Sequence, residues 1–138
     1  MTHQIWLDDA AHRAALRKDA SRQLDFFANS LRSDGGFDTL NWDGSPRPRA
    51  AQELHTTTRL VHSYALGHVF GYPDSASIID AGMEFLWTRH RDPKHGGYAW
   101  SVEGTGPADG TKLAYGHVFV LLAAASAKQA GHPDANRL

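Results

Sequence analysis

His55, Arg59 and His62 are the residues whose types and spacing carry the most chemistry. They fall at i, i+4 and i+7, so on a helix all three share one face. Leu66 and Val69 continue that face, and the stripe reads as buried. A buried guanidinium costs free energy unless it meets an anion, a carboxylate or a polar ligand. The imidazoles beside it belong to the residue type most easily tuned for proton transfer near neutral pH. The competing reading pairs Arg59 with a structural carboxylate and gives the histidines backbone partners. A second set, Lys112, Tyr115, Phe119 and Leu122, lies on one face of a later helix. The Tyr115 phenol can bond a sugar hydroxyl while its ring packs, or it is a core tyrosine. His117, two residues further on, points elsewhere and reads as structural. Phe37, Trp42, Tyr98 and Trp100 sit in loops, where their faces suit sugar rings and equally suit plugging the end of a helical bundle.

Other chemistries lack their signatures. No His-x-x-x-His or glutamate-bearing zinc pattern occurs, and His55 and His62 are two turns apart, about 10 Å along a helix. Gly35-Gly36 and Gly96-Gly97 are lone pairs rather than phosphate loops, and no Gly-x-Ser-x-Gly elbow exists. The loop carboxylates Asp38, Asp43, Glu103 and Asp109 have no spacing that demands a glycosidase pair. No metal and no cofactor is expected.

Helices must position these groups. A first helix is expected over Asp8–Leu31, with Leu16, Ala20, Leu24, Phe27 and Leu31 on one stripe. Glycines stop it at Ser33-Asp34-Gly35-Gly36. Residues 35–49 read as a loop or short hairpin, with Asp43-Gly44 as a turn pair and with Pro46 and Pro48 opposing a central strand. A second helix over about Ala50–Phe70 carries His55, Arg59 and His62 and ends at Gly71. A third starts at Asp74 as N-cap and runs to about His90, with Ile79, Met83 and Leu86 on one row and Ile78, Gly82 and Phe85 on the next. Tyr98–Val102 is the best strand candidate. A fourth helix spans about Thr111–Ala130, and Asp134 looks like the cap of a fifth.

The segments repeat. Asp34-Gly35-Gly36-Phe37, a turn-rich stretch, an apolar helix and Gly71-Tyr72-Pro73-Asp74-Ser75 are matched about 60 residues later by His95-Gly96-Gly97-Tyr98, a similar course and Gly131-His132-Pro133-Asp134-Ala135. Each unit leaves an apolar face for a neighbour to cover. Composition sets the remaining bounds. The 138 residues are 41% hydrophobic and 21% charged, which fits a globular domain. The formal net charge of -1 and the lack of a basic stripe argue against nucleic acid as partner. No apolar run approaches a membrane span, and Asp8 and Asp9 break any signal pattern. The absence of cysteine excludes disulfides and thiolate metal sites and suits the cytoplasm.

The run Glu53-Leu54-His55-Thr56-Thr57-Thr58-Arg59-Leu60-Val61-His62 resembles the second-helix motif of the N-acylglucosamine 2-epimerase superfamily. Lys112-Leu113-Ala114-Tyr115-Gly116-His117-Val118-Phe119 resembles its fourth-helix motif, and His95-Gly96-Gly97-Tyr98 fits as well. The likeness covers the chain and is nearest to the mannose isomerase branch, where the Arg-x-x-His spacing of Arg59 and His62 recurs. It implies an all-α fold: the N-terminal part, about four to five helices, of an (α/α)6 barrel with short β-hairpins in its long loops. Residues 1–138 would be a single incomplete barrel domain of two helix-pair repeats. The second and fourth helices would be inner ones facing a central pocket. Arg59 and Tyr115 match positions that contact the sugar near its reacting carbons, and His62 matches a histidine of the same motif. His55 stands where many relatives carry a tryptophan beside the sugar. The family's catalytic histidines lie on later inner helices, so none of the nine histidines here is assigned their role.

The implied chemistry is proton transfer beside a sugar carbonyl through a cis-enediol(ate), with no cofactor or metal. Isomerisation returns the proton to C1, and epimerisation returns it to the other face of C2. A fixed guanidinium gains most of its value on the enediolate oxygens, which makes Arg59 the catalytic candidate; Tyr115, His55 and His62 are the substrate-binding ones. The expected partner is a monosaccharide, with self-association through the open barrel edge. Two other classes remain: a glycoside hydrolase or lyase on the same toroid, which needs a carboxylate pair flanking the pocket, and a truncated product or interaction module inactive alone.

Overall fold

The computed structural model describes residues 8–47 and 50–138. Pro48, and whatever precedes Asp8, lie outside the described residues. Four α-helices dominate: α1 (Ala10–Ala28), α2 (Leu54–Val69), α3 (Ser75–Phe85) and α4 (Ala114–Gln129). Three short strands, β1 (Gln52–Glu53), β2 (Ser101–Glu103) and β3 (Gly106–Asp109), form one antiparallel sheet in the order β1-β2-β3. Gln52 pairs with Val102 and Glu53 with Ser101, so β1 ties the start of α2 to the loop that precedes α4.

The core forms where α2, α3 and α4 meet. Leu54, Val61, Tyr64 and Ala65 of α2 are buried against Ile78, Ile79 and Met83 of α3 and Val120, Ala123 and Ala127 of α4. Each large apolar side chain removed from water here stabilises the fold by about 1.5–3 kcal/mol. Both apolar rows of α3 are buried, which is why it has the strongest helical patterning of the four. Small residues let the axes approach. A methyl group on Gly82 would lie 2.5 Å from Val61 Cγ2 and 3.1 Å from Phe37 Cε2, so α3 touches α2 through a bare backbone.

α1 differs from the expected stripe. Only Leu24 is buried, while Leu16 and Phe27 are exposed. The helix meets α2 at one crossing, held by the Tyr64 hydroxyl donating to Leu24 O at 2.6 Å and by Tyr72 donating to Asp25 at 2.7 Å. Its N-cap is Asp9, whose carboxylate accepts from Ala11 N and His12 N.

Several boundaries move for identifiable reasons. α2 begins at Leu54 rather than near Ala50, because Gln52 and Glu53 are drawn into the sheet. α4 begins at Ala114 rather than Thr111, because Thr111 O accepts from Trp100 N and holds that segment extended. Asp74 precedes α3 but takes a left-handed backbone (φ 57°) and caps nothing with its side chain. Beyond α3 the chain widens into a π-helical turn, Leu86–His90. After Asp134 a 3-10 turn, Ala135–Arg137, stands where a fifth helix was expected to start. The strand expected over Tyr98–Val102 is reduced to β2, with Tyr98 joined to Arg91 by a single bridge.

Candidate functional site

β1 fixes where α2 starts, and α2 then carries His55, Arg59 and His62 past α4. Arg59 Nη2 donates to the Tyr115 hydroxyl at 2.9 Å, and the guanidinium lies 4.6 Å from the centre of the Phe119 ring. Phe119 meets Tyr115 edge-on at 4.9 Å, and Tyr115 sits 6.3 Å from Trp100. Trp100 stacks on His55 at 5.0 Å with 17° between the planes. The cluster thus runs His55, Trp100, Tyr115, Phe119, Arg59 and joins two residues of α2 to two of α4 through a loop tryptophan.

Arg59 is exposed, not buried as its stripe implied. Leu66 and Val69 on the same face are exposed too, as are Val118 and Leu121 on α4, because no described element covers this side. Among the described residues Arg59 forms no ion pair, so its charge is met by a phenol oxygen and an aromatic face and keeps donors to spare. The Tyr115 oxygen accepts from Arg59, which leaves its own proton free to donate. A guanidinium and a phenol O–H at this distance can jointly bind oxygens that gain negative charge.

His62 has a defined tautomer. Ser126 Oγ donates to Leu122 O at 2.8 Å, a carbonyl that can only accept. Its 2.7 Å contact with His62 Nδ1 is therefore donated by Nδ1–H, so in the neutral ring the lone pair is on Nε2. The same logic makes His117 structural: Nε2 accepts from Tyr98 N at 3.1 Å, so Nδ1–H donates to Leu113 O at 2.8 Å. His55 has Glu53 Oε2 3.5 Å from its Nε2, and its buried Nδ1 has no partner among the described residues. Lys112 does not join the Tyr115 face. It bonds Asp92 at 2.7 Å, and that bond, with the backbone N–H groups of His95 and Lys94, holds the Asp92 carboxyl well below the usual carboxylate range.

A cleft of about 440 Å³ opens beside α2. From α2 it is lined by His55, Thr56, Arg59 and Leu60, and from elsewhere by Phe26, Trp42 and the carboxylate-bearing Asp38 and Glu53. Tyr115 reaches the cleft only through its bond to Arg59, and His62 lies a further turn along α2. Of the four aromatic loop residues, Phe37 and Tyr98 are buried in the core, Trp100 stacks on His55, and Trp42 is exposed. The role of Trp100 in joining the two helices was not legible in the sequence, since a loop tryptophan gives no sign of which histidine it will cover. A second cleft, of about 320 Å³, lies between α3 and the last residues. There His132 faces Asp80 at 3.3 Å and Arg137 covers Trp87, so its polar groups already have partners. No group of His, Asp and Glu that could hold a metal occurs among the described residues, and no helix there is long and apolar enough to cross a membrane.

Residues 35–138 match the family model described as N-acylglucosamine 2-epimerase (GlcNAc 2-epimerase). D-mannose isomerase of Thermobifida fusca is 41% identical over 135 residues, covering 97% of this chain and 33% of its own length. D-mannose isomerase of Pseudomonas cannabina pv. alisalensis is 37% identical over 138 residues, covering 99% and 33%. Among solved structures, a D-mannose isomerase superposes with a TM-score of 0.80 at 26% identity, covering 94% of this chain and 33% of that one. The cellobiose 2-epimerase of Spirochaeta thermophila DSM 6192 superposes with a TM-score of 0.76 at 23% identity, covering 88% and 33%. The chain spans about a third of the length of each.

Proposed function

The chain belongs to the N-acylglucosamine 2-epimerase family, and from that premise we propose that it supplies the enediolate-binding wall of a sugar isomerase acting on a free monosaccharide, of the mannose-to-fructose type. The observation that carries the proposal is Arg59: a guanidinium in the wall of a cleft, bonded to Tyr115 and in no ion pair among the described residues, although Asp38 and Glu53 line the same cleft. Removal of the C2 proton from an opened aldose leaves a cis-enediolate. Its two oxygens lie on adjacent carbons, and negative charge grows on them as the proton leaves. Arg59 then binds the transition state more strongly than the neutral substrate, which is the condition for raising turnover. Tyr115 donates its free proton to one of the oxygens and orients the pair. We read His55, in the cleft lining and stacked on Trp100, and His62, one turn further along α2 and bonded through Nδ1 to Ser126, as the residues that contact the sugar hydroxyls. The proton-transferring histidines lie outside this chain, so the 138 residues alone are inactive.

The test joins this chain to the remaining two-thirds of the Thermobifida fusca enzyme and follows D-mannose conversion to D-fructose. We expect turnover from the chimera and none from the isolated chain. Arg59→Ala in the chimera should lower kcat by about 10²–10³-fold, the usual cost of losing one preorganised oxyanion donor. Near-native turnover by Arg59→Ala would remove Arg59 from the mechanism, and clear turnover by the isolated chain would refute its dependence on further helices.

A further inference from the structure

We propose that Trp42 is a sugar-stacking platform in the cleft that Arg59 also lines, taking the apolar face of a pyranose ring and so helping to set which sugar is held there. This rests on the sugar-isomerase reading of the Arg59 cleft. The indole has 103% relative exposure, so it contributes no packing to the fold. Such a side chain keeps a large apolar face open for a ligand to stack on.

The turn that bears Trp42 is rigid. Leu40 bridges Pro46, and Asn41 N donates to Ser45 O at 2.8 Å. Asp43 Oδ1 accepts from Ser45 N at 2.9 Å and from Ser45 Oγ at 2.6 Å, while Asn41 Nδ2 donates back to Ser45 Oγ at 2.9 Å. Gly44, at φ 83°, seats the turn on the Phe26 ring, 3.3 Å from where its Cβ would be. With the turn held in this way, the two side-chain torsions of Trp42 are what remains to order when a ligand arrives.

The chemistry of the lining suits a sugar. A pyranose presents C–H bonds on one face and hydroxyl oxygens at its edge. The C–H hydrogens carry partial positive charge and suit the negative face of the indole. The hydroxyls at the ring edge are then left for the N–H donors of Arg59 and for the carboxylates of Asp38 and Glu53, which line the same cleft. Of the four loop aromatics only Trp42 has a free face on this cleft.

The experiment uses the isotope-labelled chimera of this chain with the rest of the Thermobifida fusca enzyme, with D-mannose as probe and glycerol as a ringless polyol control, read by ¹H–¹⁵N NMR. The Trp42 indole N–H is assigned by its loss in Trp42→Phe, and the Arg59 Nε–H serves as an independent reporter. We expect the Trp42 signal to shift saturably with D-mannose and not with glycerol. Trp42→Ala should weaken the affinity read at Arg59 by about tenfold, and Trp42→Phe by no more than about threefold. Because Trp42 packs against nothing, neither variant should change the far-ultraviolet circular dichroism. If Arg59 responds to D-mannose while Trp42 does not, and Trp42→Ala binds as well as the parent, the platform is overturned and the sugar reading stands. That outcome fits a tryptophan that packs against further polypeptide. If neither signal moves, both proposals fall.

Discussion

Replacing Gly82 by alanine sets two opposed terms against each other at the α2–α3 contact. Alanine in a helix interior is favoured over glycine by about 1 kcal/mol, so on an open surface the change would stabilise. Here the new methyl would sit 2.5 Å from Val61 Cγ2 and 3.1–3.3 Å from the Phe37 ring, and both neighbours are buried. Val61 is β-branched and helical, so it has one favoured rotamer and cannot swing aside. The helices must separate instead, and overpacking of this kind costs about 1–3 kcal/mol. With an overlap this severe the upper half of that range applies, which leaves a net loss of about 1–2 kcal/mol. For a chain of this length that lowers Tm by roughly 3–6 °C. Thermal unfolding followed by circular dichroism reads it directly. The double variant Gly82→Ala with Val61→Ala removes the clashing methyl, so it should lose about 1 kcal/mol or more less than the sum of the two single changes. A rise in Tm for Gly82→Ala, or strict additivity in the double variant, would refute the argument that α2 is seated on the bare backbone of α3.

Two further outcomes are expected. Tyr64→Phe removes the one bond by which a fully buried phenol holds α1, so it should cost about 0.5–1.5 kcal/mol in urea unfolding, while Tyr64→Ala, which also leaves a cavity, should cost about 3–5 kcal/mol; no loss in Tyr64→Phe would deny the hydrogen bond its share. Burial pushes the His90 pKa down, whereas in the unfolded chain the imidazole takes a proton near pH 6.5, so between the folded value and about 6.5 the unfolded state binds more protons and stability rises with pH. Stability should therefore be complete above about pH 6.5 and fall on acidification below it, with a smaller fall in His90→Asn; an unchanged pH profile in that variant would overturn this assignment.

Much of the helical scaffold was readable in the chain because its periodicity is local. Four helices, their order and the two buried rows of α3 follow from apolar residues three and four apart, bounded by glycine and proline. The motifs around Arg59 and Tyr115 already pointed to the family. Their bond could not be read from spacing, since 56 residues separate them and only the packing of α2 on α4 makes them neighbours. The exposed state of Arg59 also ran against its stripe. An apolar stripe states that a face seeks cover, not that the cover lies within these residues. The start of α2 was placed too early because a pairing with Val102 and Ser101, far along the chain, outweighed helix propensity at Gln52 and Glu53. Four loop aromatics looked alike in sequence, yet tertiary packing buried two, stacked one on His55 and left Trp42 in water. Residue order thus determined which helices form and which side chains share a face. Which faces meet, and which groups keep an open side, was decided by contacts between distant segments, because burial and pairing are properties of the assembled surfaces and not of any one stretch of chain.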